Sequence, residues 1–332
     1  MKSLTLQPLT AFMAILLFSG CTPKVQVTML TPAEISRASQ TKQISVARFE
    51  NDTINLASKI EANIARATID GKPYFQTINR SELDRVLDEQ RLQDSGLIDL
   101  DTTVEIGKLA GANAMILGSV TRPTMTNTRY TQTRRQCRND ECRDVEVSCT
   151  KRVVSTSAQI RMVDITRGDI IYGDTITKSR QYRRCRGDAT SLPSLQVAGN
   201  HLSDLIAQEF VQKLLPQYVT FSVTLLNKPD IDYTKEQEDL LDNALEFIKH
   251  NRYDRAQTLL QELITTTARQ SYVPIYNLGV LYEAQTEFAR AKSLYQEADR
   301  LTQKPVDAIN QAIIRIDQVK LQHSQAMQQI NN

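Results

Sequence analysis

Apolar positions recur along this chain with three different periods. Ile44, Val46 and Phe49 mark a short strand, and Leu56, Ile60 and Ile64 follow at helical spacing. Tyr74 to Ile78 reads as a second strand. Ser81-Glu82-Leu83-Asp84 reads as a capped helix start, with Leu83, Val86 and Leu87 facing inward. Thr102 to Ala110 predicts a third helix, ended by Gly111, and Ala114 to Val120 an apolar strand. Two hairpins follow. A long helix then carries Leu202, Leu205, Ile206, Phe210 and Leu214, and Tyr218 to Leu226 is expected to close the sheet. Strands alternating with helices plus a hairpin block predict an α/β fold over residues 43–226, a mixed sheet with packed helices. From residue 235 onward the pattern is helical throughout, which predicts an all-α domain over 235–325 and a polar tail at 326–332.

The helical region carries a faint repeat. Asn251-Arg252-Tyr253-Asp254-Arg255-Ala256 and Thr286-Glu287-Phe288-Ala289-Arg290-Ala291 lie 35 residues apart, and the same offset relates Ala244 to Gly279 and Leu260 to Tyr295. Leu278, Gly279, Tyr282, Ala291, Tyr295 and Ala298 resemble a tetratricopeptide repeat, which sets small residues where two helices touch. That resemblance implies a helical face that holds a protein partner from the cell envelope. Residues 227–234, Asn-Lys-Pro-Asp-Ile-Asp-Tyr-Thr, read as a linker, so the tail is expected to be separable.

The N-terminus places the chain in a compartment. Lys2 is followed by an apolar run from Leu4 to Leu17 and then by Phe18-Ser19-Gly20-Cys21. A charged start, an apolar core too short for a stable span and small residues before a cysteine define a lipoprotein export signal over residues 1–20. Cys21 is the expected lipidation site and the membrane contact. The covalent lipid is the only prosthetic group expected, with no cofactor and no metal. Thr22, rather than Asp, after that cysteine favours the outer membrane, with the protein facing the periplasm. Residues 21–42 read as a lipidated tether.

With 332 residues and a net charge of +2, the whole chain has no strong electrostatic preference, and nucleic acid is not an expected partner. Charge is local instead. From Thr128 to Arg186 there are 14 Arg and Lys against 7 Asp and Glu, and Arg134, Arg135, Arg138, Arg143, Arg180, Arg183, Arg184 and Arg186 form a candidate docking surface for an anionic partner. A solvated hairpin surface is the simpler meaning of such a run.

Four cysteines remain beyond Cys21, an even number for an oxidising compartment. They allow three pairings, and spacing alone does not choose among them. A three-residue turn at Thr166-Arg167-Gly168 would pair Ile165 with Asp169 and, without a bulge, set Cys149 opposite Cys185. Cys137 and Cys142 flank a four-residue loop. The favoured pairs are Cys149–Cys185 and Cys137–Cys142. A four-cysteine zinc site is the rival, but its spacing is loose.

Three stretches carry a family resemblance: Phe75 through Gln90, Glu105-Ile106-Gly107-Lys108-Leu109-Ala110-Gly111-Ala112-Asn113 running into Ala114 to Val120, and Val163-Asp164-Ile165-Thr166-Arg167-Gly168-Asp169-Ile170-Ile171. They resemble the curli-production assembly/transport lipoprotein family, and more widely the N-terminal domain of the TolB protein. The resemblance covers residues 43–226. It implies a non-catalytic assembly or docking factor of a secretion or surface-appendage system, and it admits a homo-oligomeric ring. An activator of a periplasmic cell-wall enzyme is the alternative, and a secretion channel ranks third. The channel reading fails on the hairpins, since neither Thr126 to Arg135 nor Thr177 to Arg184 offers an apolar outer face.

No catalytic constellation appears. His201, His250 and His323 lack metal-ligand spacing, and Gly107-Lys108-Leu109-Ala110-Gly111 lacks the order of a phosphate loop. A binding protein rather than an enzyme is expected.

Overall fold

Asp52 starts the first long helix by accepting two of its free amides. Its carboxylate takes the Leu56 and Ala57 N–H groups at 2.7 and 2.9 Å. The helix α2 (Leu56–Arg66) then buries Leu56, Ile60 and Ile64, each contributing roughly 1.5–3 kcal/mol of apolar burial. It follows β1 (Lys24–Thr31), α1 (Ser36–Gln40) and β2 (Gln43–Val46). The computed structural model describes residues 23–78, 100–138 and 141–331. The signal segment, Cys21 and the expected helix after Ser81 lie outside the described residues.

The chain divides into two compact units. One comprises Leu30–Val219 with Leu321–Asn332, the other the residues up to Met29 with Thr220–Lys320. The first unit is the expected α/β body. Its sheet has the order β5 (Gln76–Thr77), β2, β6 (Ala114–Val120), β8 (Glu141–Asp164), β7 (Thr124–Arg138), with β9 (Asp169–Cys185) also paired to β8. A small separate pair, β3 (Thr68–Ile69) and β4 (Lys72–Pro73), lies between α2 and β5. β2 runs parallel to β5 and β6, and the long hairpin strands are antiparallel. One face buries Ile44, Val46, Ile116, Ile160 and Met162 against α2 and α4 (Leu195–Lys213), which supplies Ile206 and Phe210. On the other, α3 (Leu100–Leu109) sets Ile106 among Ala47, Met115, Val163 and Ile165. Gly107 permits that approach, since a Cβ there would collide with Ile165. Gly111 ends α3 region in the left-handed conformation, φ 71°.

The second unit is built on α5 (Lys235–Lys249), α6 (Tyr253–Thr266), α7 (Tyr272–Ala284), α8 (Phe288–Leu301) and the first part of α9 (Asp307–Asn331). The 35-residue repeat is visible in the backbone. Asn251 and Thr286, equivalent residues between the helices of each pair, both have positive φ, 57° and 63°.

Four expectations need correction. Lys24–Thr31 is a strand, not a tether: Val25, Val27 and Met29 alternate into an apolar core while Gln26 and Thr28 face outward. Gln217–Thr224, here β10, does not close the main sheet but pairs with β1 in a separate ribbon. Gln26 and Thr28 meet Ser222 and Thr220 across it at 3.0 and 2.9 Å. Residues 227–234 are not a free linker. Asp230 accepts the Tyr272 N–H at 2.8 Å, and Thr234 caps α5 in a reciprocal box with Gln237. The final residues are not a polar tail, because α9 runs to Asn331 and Gln329 is buried with both ends of its amide used. It accepts the Ala33 N–H at 2.9 Å and donates to Ser36 Oγ at 3.0 Å.

Candidate docking surfaces

The hairpin block is a three-stranded sheet whose register fixes every side chain's face. Opposite Cys149 stand Tyr130 on β7 and Cys185 on β9, and Cys137 stands opposite Cys142. Both pairs form disulfides. The Cys149–Cys185 bridge is buried with Val147, and Tyr130 packs beside it. Cys137 and Cys142 are exposed near the hairpin tip.

The turn differs from its expected form. Asp164 pairs with Asp169, so the loop holds four residues rather than three, with Gly168 at φ 70°. A register shift between Met162 and Val163 then pairs Met162 with Tyr172. The longer loop and the bulge cancel, and this brings Cys149 opposite Cys185. Asp164 holds the turn by accepting the Thr166 and Arg167 N–H groups at 3.0 and 3.1 Å. Arg37 anchors it from outside through a bidentate pair with Asp169 at 2.7 and 2.8 Å, which draws the Asp169 carboxyl below its ordinary range.

The predicted arginines do not form one patch. Arg183 and Arg143 lie on the face that carries Lys151, whereas Arg135, Arg180 and Arg184 lie on the opposite face with Arg152. Arg186 is exposed just past β9, and the side chain of Arg138 is outside the described residues. Arg134 has a structural role. It donates to Asp188 at 2.6 Å, and Asp188 in turn accepts the Cys185 N–H at 2.6 Å. These contacts hold the Asp188 carboxyl below its ordinary value, Arg134 first. Arg180 contacts the His201 ring, and Lys178 pairs with Glu209. Sequence reasoning could not tell that Arg134 and Lys178 are tied down, because Asp188 and Glu209 belong to other elements.

In the helical unit all six repeat residues are buried: Leu278, Gly279, Tyr282, Ala291, Tyr295 and Ala298. A Cβ on Gly279 would lie 2.8 Å from the Tyr295 ring. Sequence reasoning missed a buried polar cluster beside them. Glu283 is fully buried; it accepts from Tyr295 Oη at 2.5 Å and from Arg315 Nε and Nη2, each at 2.8 Å. Burial, with Glu283 nearby, pushes the Tyr295 hydroxyl well up. Glu283 and Arg315 lie 32 residues apart on different helices, so no local pattern signals them. Arg315 also stacks on Phe221, 5.5 Å from the ring centre.

Among the described residues, no cluster of three or more His, Cys, Asp or Glu is placed to hold a metal ion. No described helix is long and apolar enough to cross a membrane.

The family described as "Curli production assembly/transport component CsgG" matches residues 26–226, and the chain belongs to that family. The match begins inside β1 and ends just past β10, so it includes the ribbon as well as the α/β body. No curated protein matches the chain. Solved structures similar to it include the LpoB C-terminal domain from Salmonella enterica, 12% identical, covering 43% of this chain and 91% of that one, with a TM-score of 0.27. Lipoprotein GNA1162 from Neisseria meningitidis is 14% identical, covering 51% and 98%, with a TM-score of 0.26. The PelC dodecamer from Paraburkholderia phytofirmans is 16% identical, covering 55% and 94%, with a TM-score of 0.24.

Proposed function

We propose that this protein is a lipid-anchored, periplasm-facing envelope lipoprotein of the outer membrane that serves a secretion or surface-appendage system as a non-catalytic assembly or docking factor. Membership of the curli assembly/transport family carries the reading. Cys21 holds the lipid, and the helical unit, a tetratricopeptide-like module, recruits an envelope protein. Self-association into an oligomer belongs to the same proposal.

The hairpins support docking over a channel. A membrane strand needs an apolar outer face along about ten residues. On β7 one face presents Thr126, Thr128, Tyr130, Gln132 and Arg134, the other Asn127, Arg129, Thr131, Thr133 and Arg135. Neither face suits lipid, where a single Arg at the midplane costs about 2–4 kcal/mol.

The test is fatty-acid labelling followed by membrane fractionation. Wild type should incorporate label and sediment with outer membrane, and Cys21→Ala should do neither. Label retained by Cys21→Ala, or a wild-type protein in the cytoplasmic fraction, would contradict the proposal.

A further inference from the structure

The two faces of the hairpin sheet are unlike each other. The face of even-numbered β8 residues is covered, with Val154, Ala158, Ile160 and Met162 buried and α4 packed on it. On the odd-numbered face, among the described residues, the central rows stay open to solvent. Thr124, Ser155 and Ser179 form one row, and Thr126, Val153 and Gln181 the next. Ser157 and Thr177 extend it, and Gln159 stands opposite Thr175. Within these rows all the threonines, both glutamines and Ser179 are exposed, and the serines of β8 are half-buried. Thr128, Lys151 and Arg183 form the row toward the disulfide.

Two properties set this face apart from an ordinary solvated sheet. Solvated antiparallel strands commonly set opposite charges across from each other. Here the strands β7, β8 and β9 set cations and no carboxylate on this face from Arg134 to Gly173, and the Asp188 carboxylate just past β9 is taken up by Arg134 at the rim, away from Lys151 and Arg183. It is also built from short hydroxyl and amide side chains, with strands about 4.8 Å apart, so donors and acceptors repeat regularly over a flat area. A protein partner would find few anchors, since interface cores depend on aromatic and large apolar groups. Within these rows only half-buried Val153 is apolar.

We infer that this face binds an anionic polysaccharide: the hydroxyl and amide rows hydrogen-bond the sugar hydroxyls, and Lys151 and Arg183 pair with its carboxylates or phosphates. The site is distinct from the protein-recruiting helical unit and stands or falls independently of it.

The test uses the full chain in detergent micelles, with polygalacturonate as probe, dextran as the uncharged polymer and poly-glutamate as the acidic polypeptide. Polygalacturonate should bind tightest, and dextran and poly-glutamate each more weakly, because each offers only one of the two kinds of contact. Lys151→Gln with Arg183→Gln should weaken polygalacturonate binding about tenfold or more, as loss of two charge-assisted contacts implies. Thr126→Val with Thr128→Val and Thr177→Val keeps strand-favouring side chains, and should weaken binding several-fold while leaving its salt dependence unchanged. Arg184→Gln on the opposite face is the control and should keep wild-type affinity. Absence of polygalacturonate binding would overturn the inference. So would poly-glutamate binding as tightly with the threonine triple variant unaffected, because the surface would then read charge alone, as an acidic protein's partner would.

Discussion

Asn277 grips the backbone of Leu226 by both of its polar groups. The Leu226 N–H donates to Asn277 Oδ1 at 2.9 Å, and Asn277 Nδ2 donates to the Leu226 carbonyl at 2.7 Å. Tyr276 adds a hydrogen bond to the Thr224 carbonyl at 2.8 Å. The stretch after β10 is thus built into the helical unit, and Val25, Val27, Met29, Val223 and Leu225 share its core. Residues 235–332 expressed alone should therefore be poorly folded and bind hydrophobic dye. Asn277→Ala in the full chain should lower stability by about 1–3 kcal/mol, the cost of leaving part-buried backbone groups unpaired. Chemical denaturation of the variant and circular dichroism of the fragment check both. A cooperatively unfolding fragment would restore the separable tail.

Gly279 lets its helix pass close to the Tyr295 ring, 2.8 Å from where a Cβ would stand. Gly279→Ala presses a methyl group into the Tyr295 ring and should cost about 1–3 kcal/mol, while Gly279→Leu should unfold the helical unit. Thermal melts read by far-ultraviolet circular dichroism distinguish the two.

Glu283 is a buried charge with its partners in place. Glu283→Ala strands the Arg315 guanidinium and the Tyr295 hydroxyl, and should cost about 3 kcal/mol or more. Replacing Glu283 and Arg315 together by methionine should recover much of that loss, because the desolvation of both charges is removed as well. A double-mutant cycle by urea denaturation measures the coupling.

Acid should loosen the hairpin sheet around Asp169 and Asp188. Asp169 and Asp188 titrate below their ordinary value of 3.8 when folded, held by Arg37 and Arg134. Between that value and the lower folded one, the unfolded chain binds more protons, so stability falls as pH falls through this window. Above it the contribution is fully present. Hydrogen-exchange protection at β9, taken relative to the intrinsic amide rate at each pH, should fall from pH 5 to pH 3, and Arg134→Gln should flatten the change near Cys185. Equal pH dependence in that variant would remove Asp188 from the account.

Local patterns revealed local structure, and partners distant in sequence stayed hidden. Leu56, Ile60 and Ile64 mark α2, and Ala114 to Val120 mark β6, because burial on one face leaves its period in the sequence. The alternation of Lys24–Thr31 was equally legible, but a polar stretch after an export signal reads as a tether when its partner, nearly 200 residues away, is unknown. Tyr218 to Leu226 shows a strand without naming the strand it pairs with. Arg134 looked like its neighbours until Asp188 came beside it. Gln329 lies among polar residues and looks solvated. Only the fold shows its amide spanning Ala33 and Ser36.

The proposed anchoring at the envelope and docking of a protein through the helical unit are open to one direct measurement. Ile314, 78% exposed on α9, is the position for a genetically encoded photocrosslinker in intact cells. One recurrent crosslinked envelope protein is expected, identified by mass spectrometry and lost when Cys21→Ala removes the anchor. Crosslinks confined to cytoplasmic proteins, or an envelope adduct unchanged by Cys21→Ala, would contradict it.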